Sequence, residues 1–335
     1  MKFLQTISEL KRIKIDLKDK KILSLISDNS RVPLTQIAKK VGLSRDSINY
    51  RIKNYEKKGL IQGYRTVVDI SKFGYNNYHI FIRLNNLDKE AEKRIISRLS
   101  KHAFIRSIIK FNGGFDFEIA LIAKTIQDFD TEISLILKDC SGFIQSYEIL
   151  TLTKTYLSKA LPLSFYPTEI PAKISSKEKK ELKTDEKDIK ILKLISEDAT
   201  LPLYRIANKV NLSADSIAYR LKNMKDSGLI IKFFPVINFS ALCYNMYAIL
   251  VNIHELNEEK EKVLKEFIET DKNIFWAVKT IGRFNLLFYI LVNKIEDLQE
   301  TLVNLRNTFP KSITNYESLI ADEQFKYVYF PSDLF

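Results

Sequence analysis

Apolar positions along the chain change period at regular intervals, and the changes mark elements. Between residues 16 and 58 the spacing is helical. Ile22, Leu23, Leu25 and Ile26 make one apolar face, and Leu34, Ile37, Ala38 and Val41 make a second after Pro33. A third face carries Ile48, Ile52 and Tyr55 and begins at Ser44, a residue suited to accept the first free amide of a helix. Gly59 stands where a left-handed residue ends that helix. Extended sequence at Ile61, Val67 and Val68 then predicts a β wing. Three short helices, a tight turn around 41–44 and a wing describe a winged helix-turn-helix, a module shaped to lay its last helix in a major groove.

Downstream the pattern alternates between strand and helix. Residues 75–84 and 104–111 read as strands, with the charged, periodic stretch 88–101 between them as a helix. Asn112-Gly113-Gly114 is a hairpin signal leading into a strand at 115–123. A helix at about 125–139 and a strand at 143–151 complete the order β-α-β-β-α-β, the ferredoxin-like pattern. Helices cover one face of such a sheet, so the other face needs a partner.

The partner is in the same chain, because the whole pattern is written twice. Shifted by 169 residues, the sequence aligns with itself without a gap, and 16–61 matches 185–230 at 27 of 46 positions. The offset continues downstream, where Gly113–Asp116 falls on Gly282–Asn285 and Tyr147-Glu148 on Tyr316-Glu317. The expected fold class is therefore α+β. It comprises two winged helix-turn-helix domains and two ferredoxin-like βαββαβ domains, arranged as an internal tandem repeat, a pseudo-dimer. The boundaries read as a basic arm at 1–15, helix-turn-helix domains at 16–70 and 185–239, and effector or dimerisation domains at 71–157 and 240–335. A linker rich in proline and then lysine is expected at 158–184.

Composition narrows the function. Of 335 residues 45% are apolar and 28% charged, the balance of a folded chain. No apolar run approaches the roughly 18 residues of a spanning helix. Charges replace an apolar stretch at the N-terminus, so neither a membrane anchor nor a signal peptide is expected, and the location expected is cytoplasmic. Two cysteines are too few for a disulfide framework or a four-cysteine metal site, and each reads as a small buried hydrophobe. No phosphate loop, metal-ligand spacing or nucleophilic triad stands out, so no cofactor and no catalytic residue is expected. The net charge of +12 is unevenly placed. Residues 1–170 hold 29 basic against 18 acidic side chains, whereas 185–335 hold 19 against 21. A basic excess confined to one half fits a polyanionic partner.

The third helix gives that partner a contact surface. With Ile48, Ile52 and Tyr55 turned inward, the opposite face shows Asn49, Tyr50, Lys53 and Lys57, with Arg45 on its shoulder. Arginine and asparagine can pair bidentately with base edges, while lysine and tyrosine more often hold phosphates. Asp46 in the first turn favours the helix dipole. The second copy keeps the frame and loses reading residues: Ala214 and Ala218 replace Arg45 and Asn49, and Asp226 replaces Lys57. Tyr50, Arg51 and Lys53 remain as Tyr219, Arg220 and Lys222. The expected DNA contacts are these retained residues of both copies together with Arg45, Asn49 and Lys57.

Both copies resemble the Lrp/AsnC family of prokaryotic transcriptional regulators. The residues that carry the likeness are D-x-K-D-x-K-I-L at the head of each copy, then L-S-x-D-S-I-x-Y-R-[IL]-K-N, G-L-I, and the hairpin Gly113 to Asp116. The resemblance implies paired effector domains, double-stranded DNA as partner and a small amino acid in the cleft between the domains. It places Gly113, Gly114 and Asp116 at the effector cleft, with glycine amides for a ligand carboxylate and Asp116 for an ammonium; the residues read equally as hairpin chemistry, with Asp116 capping or bracing the turn. In the second copy Gly282 remains but Asp116 becomes Asn285, so at most one of the two clefts is expected to work. Further association of chains through exposed edges or helices is a possible extension. Two rivals carry different expectations. Fused relatives of this fold resemble sirohaem decarboxylases, which need histidines and arginines near the hairpin, and here His79, His102 and His254 are scattered. A partner-docking protein without specific DNA binding would suit the acidic second copy better than the basic first.

Overall fold

A computed structural model describes residues 12–85, 88–166 and 182–335. Most of the expected basic arm (1–11) and of the expected linker (167–181) lies outside the described residues. Each copy opens with three helices: α1 (Leu17–Asp28), α2 (Leu34–Val41) and α3 (Arg45–Lys57) in the first, α6 (Glu186–Glu197), α7 (Leu203–Val210) and α8 (Ala214–Asp226) in the second. Local chemistry sets their starts. Asp16 accepts from the amide of Asp19, and Asp19 accepts from that of Asp16 at 2.8 Å, a reciprocal cap that Asp185 and Asp188 repeat. Ser44 and Ser213 each accept from the amide three residues on at 3.1 Å. Helix α2 stops at Gly42, which is left-handed at φ +70°, and α7 at Asn211, at φ +54°. The apolar faces read from sequence form the two small cores, with Ile22, Leu23, Ile37 and Ile48 fully buried in one and Ile191, Leu192, Ile206 and Ile217 in the other.

The expected wings are single strands that pair across the copies. Each copy supplies one strand, β1 (Ile61–Val68) or β6 (Ile230–Ile237), and the two pair antiparallel with each other into a ribbon, Arg65 opposite Phe234. Strand amides left unpaired on one copy are satisfied by the other, which a hairpin wing within a copy would have done locally.

The remaining elements are β2 (Asn76–Leu84), α4 (Lys89–Leu99), β3 (Ile105–Asn112), β4 (Phe117–Ala123), α5 (Ile126–Asp139) and β5 (Ile144–Ser158). Their repeats are β7 (Asn245–Ile253), α9 (Glu258–Thr270), β8 (Ile274–Ile281), β9 (Leu286–Val292), α10 (Ile295–Thr308) and β10 (Ile313–Tyr327). Each copy forms a four-stranded antiparallel sheet, β3-β4-β2-β5 or β8-β9-β7-β10, as the ferredoxin-like order requires. The two sheets then join at both edges, β5 to β8 and β10 to β3, into a closed eight-stranded barrel. Closure explains why β5 and β10 are 15 residues long. In β5 the first half pairs with β2 of its own copy, and Thr151–Ser158 pairs with β8 of the other. The strand therefore overruns the expected end at 151, and no open edge is left on either sheet.

Side chains alternate across the barrel wall. Ile80, Ile82 and Ile119 pack outward beneath α4 and α5, while Phe81, Phe111, Leu150, Leu250, Phe284 and Leu319 fill the interior. One part of that interior is polar and asymmetric. Glu118, 1% exposed, pairs with His79 and accepts from the Tyr289 hydroxyl of the other copy, and Trp276 stacks on His79 and Tyr289 at 5.8 and 5.0 Å. The equivalent positions are Leu287, Ala248, Ala120 and Ser107, so the polar arrangement occurs once. Cys140 is buried as expected, whereas Cys243 is exposed, in a turn at φ +59°. No helix of the described residues is long and apolar enough to cross a membrane.

Candidate nucleic-acid interface and cleft

The exposed face of α3 carries most of the expected contacts. The Arg45 side chain is 66% exposed and lies 3.7 Å from the Asp46 carboxylate. Tyr50 is 72% exposed, Lys53 and Lys57 are exposed, and Asn49 is half-buried beside them. On α8 the matching face presents Tyr219, 68% exposed, and Lys222, with Ala214 and Ala218 where arginine and asparagine stood. The first face offers guanidinium, amide, phenol and ammonium groups, the second only phenol and ammonium.

Two of the expected contacts are corrected. Arg51 turns back from α3 onto the cap of α1, donating to Asp16 at 2.9 Å and to Asp19. Arg220 does the same, to Asp185 at 2.9 Å and to Asp188 at 2.7 Å. In the first copy the Tyr55 hydroxyl joins Asp19, and burial, then this bond, pushes its phenol well above the ordinary range. The acidic caps neutralise the guanidinium groups, so Arg51 and Arg220 tie the first helix to the third and are withdrawn from the contact face.

The two heads are held by mutual bonds. The Ser30 amide donates to the Phe233 carbonyl at 2.9 Å, and its twin, the Ala199 amide, donates to Tyr64 at 3.2 Å. Arg31 adds bonds to the carbonyls of Ala199 and Leu201 at 2.6 and 3.2 Å. The orientation of α3 relative to α8 is thus fixed by the ribbon and by these crossings.

At the barrel hairpins the expected effector residues divide. Gly113 (φ +144°) lies against Ser318 and Leu319, and Gly282 (φ +153°) against Ile149 and Leu150, so close that a Cβ on either would overlap its neighbour. Both glycines allow one copy's hairpin to seat on the other copy's last strand. Asp116 accepts from the Leu84 amide at 2.7 Å, and Asn285 makes the matching bond from Ile253 at 3.0 Å. That shared role is the bracing alternative expected for Asp116: it holds β2 beside the turn, as Asn285 holds β7 in the second copy. Gly114 lines a cavity. It is about 310 Å³ and is bordered by Arg83, Gly114, Ser146, Arg283, Glu317 and Ser318. Sequence reading missed Arg83 and the glutamates. The signal was present, since Tyr-Glu is retained at 147–148 and 316–317 while Gly114 becomes Arg283.

Two helix-turn-helix heads on one closed barrel, one head with a basic, donor-rich helix face, define a DNA-binding architecture. Comparison with known proteins places it. A family described as winged helix-turn-helix DNA-binding matches residues 15–62 and 184–231. The chain is 31% identical over 122 residues to the HTH-type transcriptional regulator LrpA of Pyrococcus horikoshii, a match covering 36% of this chain and 84% of that protein. It is 29% identical over 116 residues to the proline dehydrogenase transcriptional activator of Rhodobacter capsulatus, covering 34% of this chain and 75% of that one. Among solved structures, the sirohaem decarboxylase NirDL with an iron-uroporphyrin III analogue overlays 94% of this chain and 95% of that chain, with a TM-score of 0.61 at 14% identity. The overlay shows a shared two-copy fold. The chain belongs to the Lrp/AsnC family of transcriptional regulators, in a tandem form.

Proposed function

We propose that this protein is a sequence-specific transcription regulator in which one chain does the work of a dimer, with unequal heads. The observation that carries the reading is the contrast between α3 and α8. Arg45 and Asn49 can read base edges, Ala214 and Ala218 cannot, and Tyr219 and Lys222 are left to hold phosphates. The first head reads sequence and the second adds grip, so the operator is an imperfect palindrome with one informative half. The test is retention of pooled genomic fragments across a salt series with non-specific competitor present. Base reading predicts a subset of fragments sharing one strong half-site, held at physiological salt. Loss of every fragment to competitor overturns the reading.

The cleft between the copies supports modulation by a small molecule. It lies where the sheets of the two copies meet, so a ligand there biases how the copies, and the heads fixed to them, are set. Amino acids, the ligands implied by the family resemblance, are the first to try.

The rival reading, tetrapyrrole decarboxylation, has the overlay with NirDL in its favour. Its histidines are dispersed: His79 pairs with Glu118 inside the barrel, His102 with Asp139 at 2.8 Å beneath the helices, and His254 is exposed. Titration with sirohaem followed in the visible spectrum separates the two. The regulator reading expects no saturable spectral change; a tight one with product formation favours the enzyme.

A further inference from the structure

The second head lacks the arginine and asparagine of α3, and it has gained an arginine on the helix before. The first turn of α7 carries Tyr204 and Arg205, where the first turn of α2 carries Thr35 and Gln36. Both side chains are exposed, Tyr204 to 57%. Ile206, Ala207 and Val210 of α7 are buried in the head, so Tyr204 and Arg205 stand away from its core.

The place of that arginine is unfavourable for the helix itself. Free amides give a helix N-terminus a partial positive charge, which favours acidic residues in the first turn and basic ones in the last. Helix α2 follows the rule, with Lys39 and Lys40 in its last turn. Helix α7 keeps Lys209 there, has Asn208 in place of Lys39, and adds Arg205 at the opposite end, with no acidic side chain in that turn. The guanidinium forms no ion pair among the described residues, so nothing in the head offsets it. It is nevertheless held in place. Its Nε donates to the Tyr204 hydroxyl at 3.3 Å, and the group lies 6.0 Å from the centre of the Tyr204 ring.

Both Nη groups of Arg205 are left without an acceptor among the described residues, and such a fork fits two oxygens of one phosphate. In a helix-turn-helix the first helix crosses the DNA backbone while the second lies in the groove, and α7 is that first helix. We infer that Tyr204 and Arg205 clamp a backbone phosphate of DNA, so that the second head takes its grip from α7 as well as from α8. The inference rests on the regulator reading above and names the contact, and the helix that makes it, for the head that reads little sequence. A charge set against the helix dipole is offset only when an anion arrives.

Fluorescence anisotropy of the full chain on mixed-sequence duplexes long enough for both heads, repeated over a salt series, tests it. R205Q gives the second copy the residue that the first copy already carries, so the head keeps its fold. With the charge gone from the first turn, the variant melts no lower than wild type. Its affinity falls about fivefold at about 0.15 M salt, equally on duplexes that differ beneath α8, and the slope of log affinity against log salt flattens by about 1. Y204T removes the support of the guanidinium and keeps its charge, so it weakens binding less and leaves the slope nearly unchanged. A slope unchanged in R205Q, a loss confined to one DNA sequence, or weaker binding that follows a lower melting temperature overturns the inference. Wild type that binds no duplex even at low salt overturns the regulator reading along with it, whereas wild-type binding matched by R205Q removes the clamp alone.

Discussion

Arg31 of the first copy donates to the carbonyl of Ala199 in the second at 2.6 Å, and position 200, the twin of Arg31, is a threonine that returns no such bond. The guanidinium also reaches the Leu201 carbonyl and lies over the Phe233 ring at 5.6 Å. The crossing between the heads is therefore clamped from one side. Arg31→Ala removes a charged donor from a half-buried site and is expected to cost about 1–3 kcal/mol. Binding to a DNA carrying both half-sites should weaken more than binding to one half-site, by fluorescence anisotropy. Equal losses on both would mean that the clamp does not set the spacing of the heads.

Arg51→Ala and Arg220→Ala test the correction to the contact face. Each breaks charge-assisted bonds to a helix cap and should lower stability by about 1–3 kcal/mol. Their DNA affinity should be close to that of wild type at temperatures where the variant is folded. An Arg51→Ala protein that melts like wild type but binds DNA tenfold more weakly would return Arg51 to the DNA.

The helix-turn-helix frames were legible because their determinants are local. Spacing, the serine cap and the left-handed residue after α3 all lie within a few positions of one another, and the repeat supplied an internal alignment. What was misjudged depends on the other copy. Thr153, Lys154 and Thr155 are exposed and polar and lie beyond the expected strand end at 151, yet they continue β5 because β8 of the other copy pairs with this stretch. The wing was legible as extended sequence, but its partner, the twin strand β6, was not. Arg51 was assigned to DNA because it is retained as Arg220, and retention carries no information about a carboxylate on α1. Asp116 reads from sequence both as a ligand contact and as a brace for the turn, and the amide it accepts from, on Leu84 of β2, lies 32 positions away.

The barrel interior yields a third expectation. Glu118 is buried between His79 and Tyr289, and burial, then the charge of Glu118, holds the Tyr289 phenol well above its ordinary range. Tyr289→Phe leaves the carboxylate short of a donor and should destabilise the fold by about 3 kcal/mol. The double variant Glu118→Leu, Tyr289→Phe should recover part of that loss, since apolar pairs replace buried charge well. Additive losses in a double-mutant cycle, measured by denaturant unfolding, would show that the two groups do not interact.

Glu132 on α5 predicts a pH dependence. Burial, then the nearby charge of Asp128, pushes its carboxyl up to about 7, and one of its oxygens is buried without a partner. A carboxyl that holds its proton more tightly when folded contributes fully at pH below the ordinary carboxylate range, and the contribution is lost as pH rises through 7. Glu132→Gln should therefore melt higher than wild type at pH 8, with the gap closing toward pH 4. A gap that is largest at pH 4 would reverse the sign and exclude this cause.

The central claim is that one head reads and the other grips, and randomising each half of a retained DNA site in turn tests it directly. The account predicts that scrambling the half beneath α3 costs about 1–3 kcal/mol per base read, more than tenfold in total. Scrambling the half beneath α8 should cost under about threefold, with a salt dependence left unchanged. Equal losses from the two halves would contradict it.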